Sequence, residues 1–334
     1  MKHLILSFDG GGTRMVLQYT ILKRIIEKYP NFLSKVSVYA GTSAGSILAT
    51  GLATGVLDGK ESSKLISEDS IDQIFSRNLY RKVTSVKGIF KSKYSNENLR
   101  TLLERSFGSR TFKDLEKRLF IPIFMVNDTD DTPDHDRQSD LPKWMSQRVK
   151  RWHPVYHHNL DDTKMNSTLV KSLLKSSAAP YYFPVVNGCI DGGIGNNNPS
   201  LAVLSQLVST GVKIEDIYIL SFGSGEKPTT ADFINEDCGA LEWIPYILDM
   251  IFDSTQEVVS QSLYNILKDR FWRIQPVLKT EIDLDDASQY QTLVDAAMNH
   301  NLDNTLKWIG HNFIDVPETD VKLPPDMTNG ISAP

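Results

Sequence analysis

Short apolar runs rich in β-branched residues alternate along this chain with stretches whose apolar residues recur every three or four positions. The first kind reads as buried strand, the second as amphipathic helix. Leu4 to Phe8 opens the series as a strand, and Leu22, Ile25, Ile26 and Tyr29 mark a helix that Pro30 stops. Val36, Val38, Tyr39 and Ala40 form a second strand, and residues 44–52 the helix after it. An amphipathic helix is expected over 61–75, then one capped by Ser95 and running to Phe107. Residues 119–126 are a strongly apolar strand, 166–176 a helix ended by Ser177-Ala178-Ala179-Pro180, and 185–190 a short strand. Asn198 and Pro199 have the chemistry of a helix cap and first helical residue, and Gly211 closes that helix. Ile217 to Phe222 is a buried-type strand, 241–269 is mostly helical, Phe271 to Ile274 is a last strand, and helices follow from Ala287. This alternation predicts an α/β fold whose mostly parallel central sheet is covered by helices on both faces. No repeat or linker interrupts it. Residues 226–334 therefore read as a mainly helical C-terminal part of the same domain as 1–225, with a loose, Pro-rich tail after about residue 317.

Composition narrows function more than fold. The 334 residues carry a net charge of −5, which gives a global nucleic-acid-binding role no support. Two cysteines, Cys189 and Cys238, imply no disulfide framework. The apolar start is too short for a signal peptide, and no run approaches the ~18 apolar residues a membrane span needs. The expectation is a cytoplasmic protein whose membrane contact, if any, is peripheral. Residues 77–94 could supply that contact, because Arg77, Arg81, Lys82, Lys87, Lys91 and Lys93 are interleaved with apolar residues and no acid. Residues 143–152 could too, with Met145, Val149 and Trp152 on one helical face beside four cations. Such faces suit anionic headgroups. A solvated loop and a covering helix are the alternatives.

Candidate chemistry concentrates in three glycine-rich turns. Gly41-Thr42-Ser43-Ala44-Gly45, lying between strand and helix, fits the G-x-S-x-G nucleophile elbow. Small residues flank the serine there because the turn is sharp, and its hydroxyl is pushed toward the positive end of the following helix. The earlier turn, Asp9-Gly10-Gly11-Gly12-Thr13-Arg14, presents successive N–H groups. A dinucleotide cradle fails, since Met15 stands where G-x-G-x-x-G needs its third glycine, and no G-x-x-x-x-G-K-[ST] occurs. An oxyanion hole built on Gly10, Gly11 and Gly12 fits better, with the Gly11 and Gly12 N–H groups facing the alkoxide formed when Ser43 attacks a carbonyl. The third turn is Asp191-Gly192-Gly193, reached from a strand. Neither metal nor cofactor is expected. The acidic loop at 127–134 lacks the glycine and glutamate of a calcium loop, and His153, His157 and His158 have no partner at metal-ligand spacing. On the general template a histidine serves as the base, a role open to His300 or His311 by chain order.

Taken together, the three turns resemble the patatin-like phospholipase family in order and spacing over roughly residues 4–225. Asp9 to Arg14 is similar to its D-G-G-G-x-R oxyanion motif, Gly41 to Gly45 to its elbow, and Asp191-Gly192-Gly193 to its catalytic D-G-[GA] block. Phe271-Arg273-Ile274-Gln275 and Leu284-Asp285-Asp286-Ala287 are similar to its late region, whereas Met15 departs from the usual glycine. The resemblance implies a three-layer α/β/α core over 1–225 and a Ser43–Asp191 dyad in place of a triad. It implies a phospholipase A-type lipid acyl hydrolase working through an acyl-enzyme, with Asp9, Arg14, Gly41, Gly45, Gly192 and Gly193 in support. A transacylase, a lipase or esterase on another lipid, and a catalytically silent lipid-binding protein remain open, as does an unidentified activator.

Overall fold

A computed structural model describes residues 2–58, 64–76, 91–127, 152–161, 165–226 and 239–314. Seven strands build its sheet. They are β1 (His3–Phe8), β2 (Val36–Gly41), β3 (Arg118–Met125), β4 (His153–His158), β5 (Cys189–Asp191), β6 (Ile217–Phe222) and β7 (Phe271–Ile274). The order is β4-β3-β2-β1-β6-β7, with β5 also on β3. The β1, β2, β6 and β7 pairings and β2 with β3 are parallel, whereas β4 and β5 run antiparallel to β3.

Alternation along β1 sends side chains to two separate cores. Leu4, Leu6 and Phe8 join a cluster with α1 (Met15–Lys28), α2 (Ala44–Ala53), α9 (Tyr290–Asn299) and α10 (Asp303–Phe313). Ile5 faces the other way, with Val38, Ala40 and Ile219, against α7 (Ser200–Ser209) and the long α8 (Ala240–Leu267). Burying both faces explains why these strands are near-continuous apolar runs rather than alternating ones. Among the described residues the remaining α-helices are α3 (Glu68–Ile74), α4 (Glu97–Phe107), α5 (Leu169–Ser176) and the single turn α6 (Gly193–Asn196).

Several elements differ from the sequence expectation. The helix expected over 61–75 is α3, because Ser67 caps it by accepting the Ser70 N–H. The next helix is preceded by Asn96 at the cap position, one residue past Ser95. The helix expected from 166 begins at Leu169, where Thr168 accepts the Lys171 N–H. The strand expected over 185–190 is broken by Asn187 and Gly188, both at positive φ (49° and 71°), so only Cys189–Asp191 remains in the sheet. An Asn-Gly pair is a strong tight-turn signal, and it overrides the apolar run. Pro199 occupies the cap of α7, one residue before its expected place inside the helix. Strand β4 had no counterpart in the sequence reading, since His153-Pro154 and His157-His158 hide its pattern. Residues 77–90 and 143–151 of the two cationic stretches, and the tail from 315, lie outside the described residues. Among the described residues no helix is long and apolar enough to cross a membrane.

One detail of the sheet positions everything that follows. Along a single edge of β3, β2 pairs in parallel with Arg118 to Phe120 and β5 pairs antiparallel with Ile123 to Met125. The two strands therefore end pointing at each other across Ile121 and Pro122. Pro122 suits that gap, since its missing N–H leaves no ladder bond unmade and its carbonyl accepts the Ser176 hydroxyl at 2.7 Å.

Candidate active site

Ser43 leaves the end of β2 with φ 52° and ψ −126°, a conformation that non-glycine residues adopt only under strain. Its context holds it there. The Ser46 N–H and hydroxyl both bond to the Ser43 carbonyl, at 2.9 and 2.5 Å, and the Ser43 N–H donates to Ser176 Oγ at 3.1 Å. Gly45 lets α2 approach the end of β1, because a Cβ there would stand 2.4 Å from the Phe8 carbonyl oxygen. The expected elbow is present as geometry.

Asp191 ends β5 on the other side of the gap and is fully buried. Its Oδ1 accepts the Gly193 N–H at 2.7 Å, while Oδ2 has no hydrogen bond closer than 3.5 Å. Burial raises its pKa to about 7; the neighbouring Ser43 hydroxyl and the Gly193 N–H pull the other way but are outweighed. A carboxylate in that state is a far stronger base than one in water. Ser43 and Asp191 both line one cavity. The rest of its wall is chiefly apolar, including Met15, Ile47, Ile74, Phe75, Leu99, Phe183, Phe252 and Leu284.

The glycine loop forms another part of that wall through Gly11 and Gly12. Gly10 differs from expectation. It packs beside the Ser43 side chain, where a Cβ on it would stand 3.2 Å from the Ser43 Cβ, but its N–H is engaged by the Asn197 carbonyl at 3.2 Å, which anchors the loop. No hydrogen bond occupies the N–H of Gly11 or Gly12 among the described residues. Gly12 has φ +56°, and a Cβ on it would meet the Leu284 carbonyl oxygen at 1.9 Å, so only glycine fits. Asp9 is buried against Arg273, its Oδ2 2.7 Å from the guanidinium, which in turn donates to Ser221 Oγ at 2.8 Å. Burial pushes the Asp9 pKa up despite that cation. Arg14 is buried too and turns back on the loop, Nε to the Gly11 carbonyl at 3.4 Å. Burial lowers its pKa, opposed by the charges of Asp249, Asp253 and Asp283. Gly41 and Gly192 keep backbones in close contact, with a Cβ excluded by the Gly45 carbonyl at 2.1 Å and the Pro122 carbonyl at 2.3 Å.

No histidine lines the cavity among the described residues. His300 caps α9, where its carbonyl accepts from Arg24 at 2.8 Å, and His311 is exposed on α10. His157 bonds to Ser172 Oγ at 2.7 Å. Two contributors went unassigned in the sequence. Ser176 gives no signal there, since it is one hydroxyl among several at a helix end. Arg273 does give one, because a single cation inside a buried-type strand requires a buried acid.

The chain resembles known proteins over most of its length. The family model described as patatin-like phospholipase matches residues 6–204. CotR of Bacillus subtilis (strain 168), described as a candidate sporulation hydrolase, is 26% identical, over 93% of this chain and 98% of that one. A cGAMP-activated phospholipase of Escherichia coli (strain TW11681) is 31% identical over 66% of this chain and 61% of its own length. Patatin-like protein 4 of Arabidopsis thaliana is 23% identical over 93% of this chain and 83% of that protein.

Proposed function

The chain belongs to the patatin-like phospholipase family, and from that premise we propose that it hydrolyses phospholipid acyl esters through Ser43 and Asp191. The observation that carries the reading is the buried Asp191 carboxylate, one oxygen with no hydrogen bond within 3.5 Å among the described residues, sharing an apolar cavity with a serine on a strained elbow. A slot with apolar walls suits an acyl chain. Asp191 takes the Ser43 proton as Oγ attacks the ester carbonyl, and the Gly11 and Gly12 N–H groups hold the oxyanion. The tetrahedral intermediate collapses, the lysolipid leaves with the proton from Asp191, and Ser43 carries the acyl group. Water then attacks that acyl carbon and gives its proton to Asp191. Collapse of the second intermediate frees the fatty acid and returns the proton to Ser43. Gly10, Gly41, Gly45, Gly192, Gly193, Asp9 and Arg14 hold the backbone in which this occurs.

Lipid adsorption through 77–94 remains part of this proposal with one change. Lys93 is paired with Asp285, so the headgroup contact would fall to the stretch's other cations. The test is hydrolysis of mixed phospholipid vesicles by purified protein, with fluorophosphonate labelling of Ser43 in parallel. Because the E. coli relative is named as cGAMP-activated, the assay is run with and without that nucleotide. Fatty acid and lysolipid released by wild type but not by Ser43→Ala is the expected result. An unlabelled, inactive protein under every condition would leave a silent lipid binder as the better account.

A further inference from the structure

Resting on the reading of Gly11 and Gly12 as oxyanion donors, we infer that Asp285 is a positioning residue that locks the glycine loop to the far wall of the acyl cavity. The loop at 283–285 touches both. On one side, the Leu284 carbonyl accepts the Thr13 N–H at 2.8 Å and the Asp283 carbonyl lies 3.4 Å from the Thr13 hydroxyl. The Leu284 carbonyl is also the atom that leaves Gly12 no room for a Cβ, so wherever that carbonyl sits, the glycine loop must follow. On the other side, Asp285 Oδ2 accepts the Tyr94 hydroxyl at 2.5 Å and pairs with Lys93 Nζ. Tyr94 packs its ring on Phe75 and Phe183, at 5.5 and 5.7 Å, and both of these line the cavity. The backbone N–H groups of Lys93 and Tyr94 donate to the carbonyls of Tyr181 and Tyr182, each at 2.8 Å.

One carboxylate therefore joins segments 191 residues apart, one next to the oxyanion donors and one behind the acyl chain. Its side chain is 6% exposed, so solvent and salt screen the pair little. Charge-assisted bonds of this kind fix position as well as adding energy. Removing an oxyanion donor altogether lowers kcat by about 10²–10³. A loop that keeps its donors but loses its anchor should lose less, about tenfold.

The experiment compares Asp285→Asn, Tyr94→Phe and the neighbour control Asp286→Asn with wild type, using kcat per fluorophosphonate-titrated site so that unfolded protein does not count. Two ligands are then measured by calorimetry and inhibition. One is a long-chain trifluoromethyl ketone, which forms a hemiketal with the serine and needs the oxyanion donors; the other is a long-chain alcohol, which only fills the cavity. The expected result for Asp285→Asn is about tenfold lower kcat, ketone affinity weakened by a similar factor, and alcohol affinity within twofold of wild type. Tyr94→Phe, which keeps the ring, should move the same way by about threefold and decides the matter if Asp285→Asn does not fold. Among the described residues the Asp286 side chain bonds within its own turn, to Ser288, so Asp286→Asn should stay within twofold. Unchanged kcat per site, or ketone and alcohol weakened alike, overturns the inference. Failure of wild type itself to form the ketone adduct would instead refute the hydrolase reading.

Discussion

The elbow at 41–45 and the glycine loop at 9–14 meet at one cavity but are built in opposite ways. The elbow takes part of its support from the turn and helix it belongs to, with the Ser46 backbone and hydroxyl bonded to the Ser43 carbonyl and Gly41 against the Gly45 carbonyl, beside longer ties from the Ser43 N–H to Ser176 and the Thr42 hydroxyl to Asn196. The glycine loop is held largely from far along the chain. Asp9 is tied to Arg273, 264 residues away, Gly10 to Asn197, and Thr13 to Leu284. A strained turn can thus be closed in good part by its near neighbours, whereas the glycine loop's N–H groups are aimed by segments far along the chain.

The sharpest way to break that contrast is to remove the two groups proposed to react. Ser43→Ala and Asp191→Asn should each lower turnover by on the order of 10³-fold or more, and the double variant should be hardly worse, because the pair acts as a unit. Wild-type activity should rise with pH to a half-maximum near 7, the value to which burial lifts Asp191. Stability moves oppositely. Between 3.8 and about 7 the folded state binds the Asp191 proton that the unfolded state has released, so stability falls as pH rises. Asp191→Asn escapes that loss, which is on the order of 4 kcal/mol at its largest. The inactive variant should melt higher than wild type at pH 8, and the gap should close toward pH 4; calorimetric scans at the two pH values check this.

Gly12→Ala comes next, with about 100-fold lower kcat, since the new Cβ must displace Leu284 and leave its positive φ. Arg273→Met should follow, at about tenfold in activity but about 3–5 kcal/mol in urea unfolding, because Asp9 is left buried without its cation. That deficit should shrink in acid, where the Asp9 carboxyl takes up a proton. His300→Ala and His311→Ala should change turnover by less than twofold. A hundredfold loss at either would restore a histidine base and end the dyad reading.

What the sequence determined by itself is the part carried by neighbours in the chain. Strands β6 and β7 follow from apolar, β-branched or aromatic runs between turn residues, and the elbow's small residues already demand a tight strand-to-helix turn. The three motifs could be quoted in order without any coordinates. The sequence also contained the Asn187-Gly188 turn, but a purely apolar reading of 185–190 passed over it. What only the tertiary structure decided is pairing and burial. Nothing local to Asp191 says that β5 will meet β2 end to end on β3, or that its carboxylate will be sealed from water and its pKa raised accordingly. Nothing local to Gly10 says that the Asn197 carbonyl will take its N–H. Backbone conformation is set by contacts a few residues apart, so it is written in the sequence; proton affinity and the aim of a hydrogen-bond donor depend on what surrounds the group in space, and only folding brings those surroundings together.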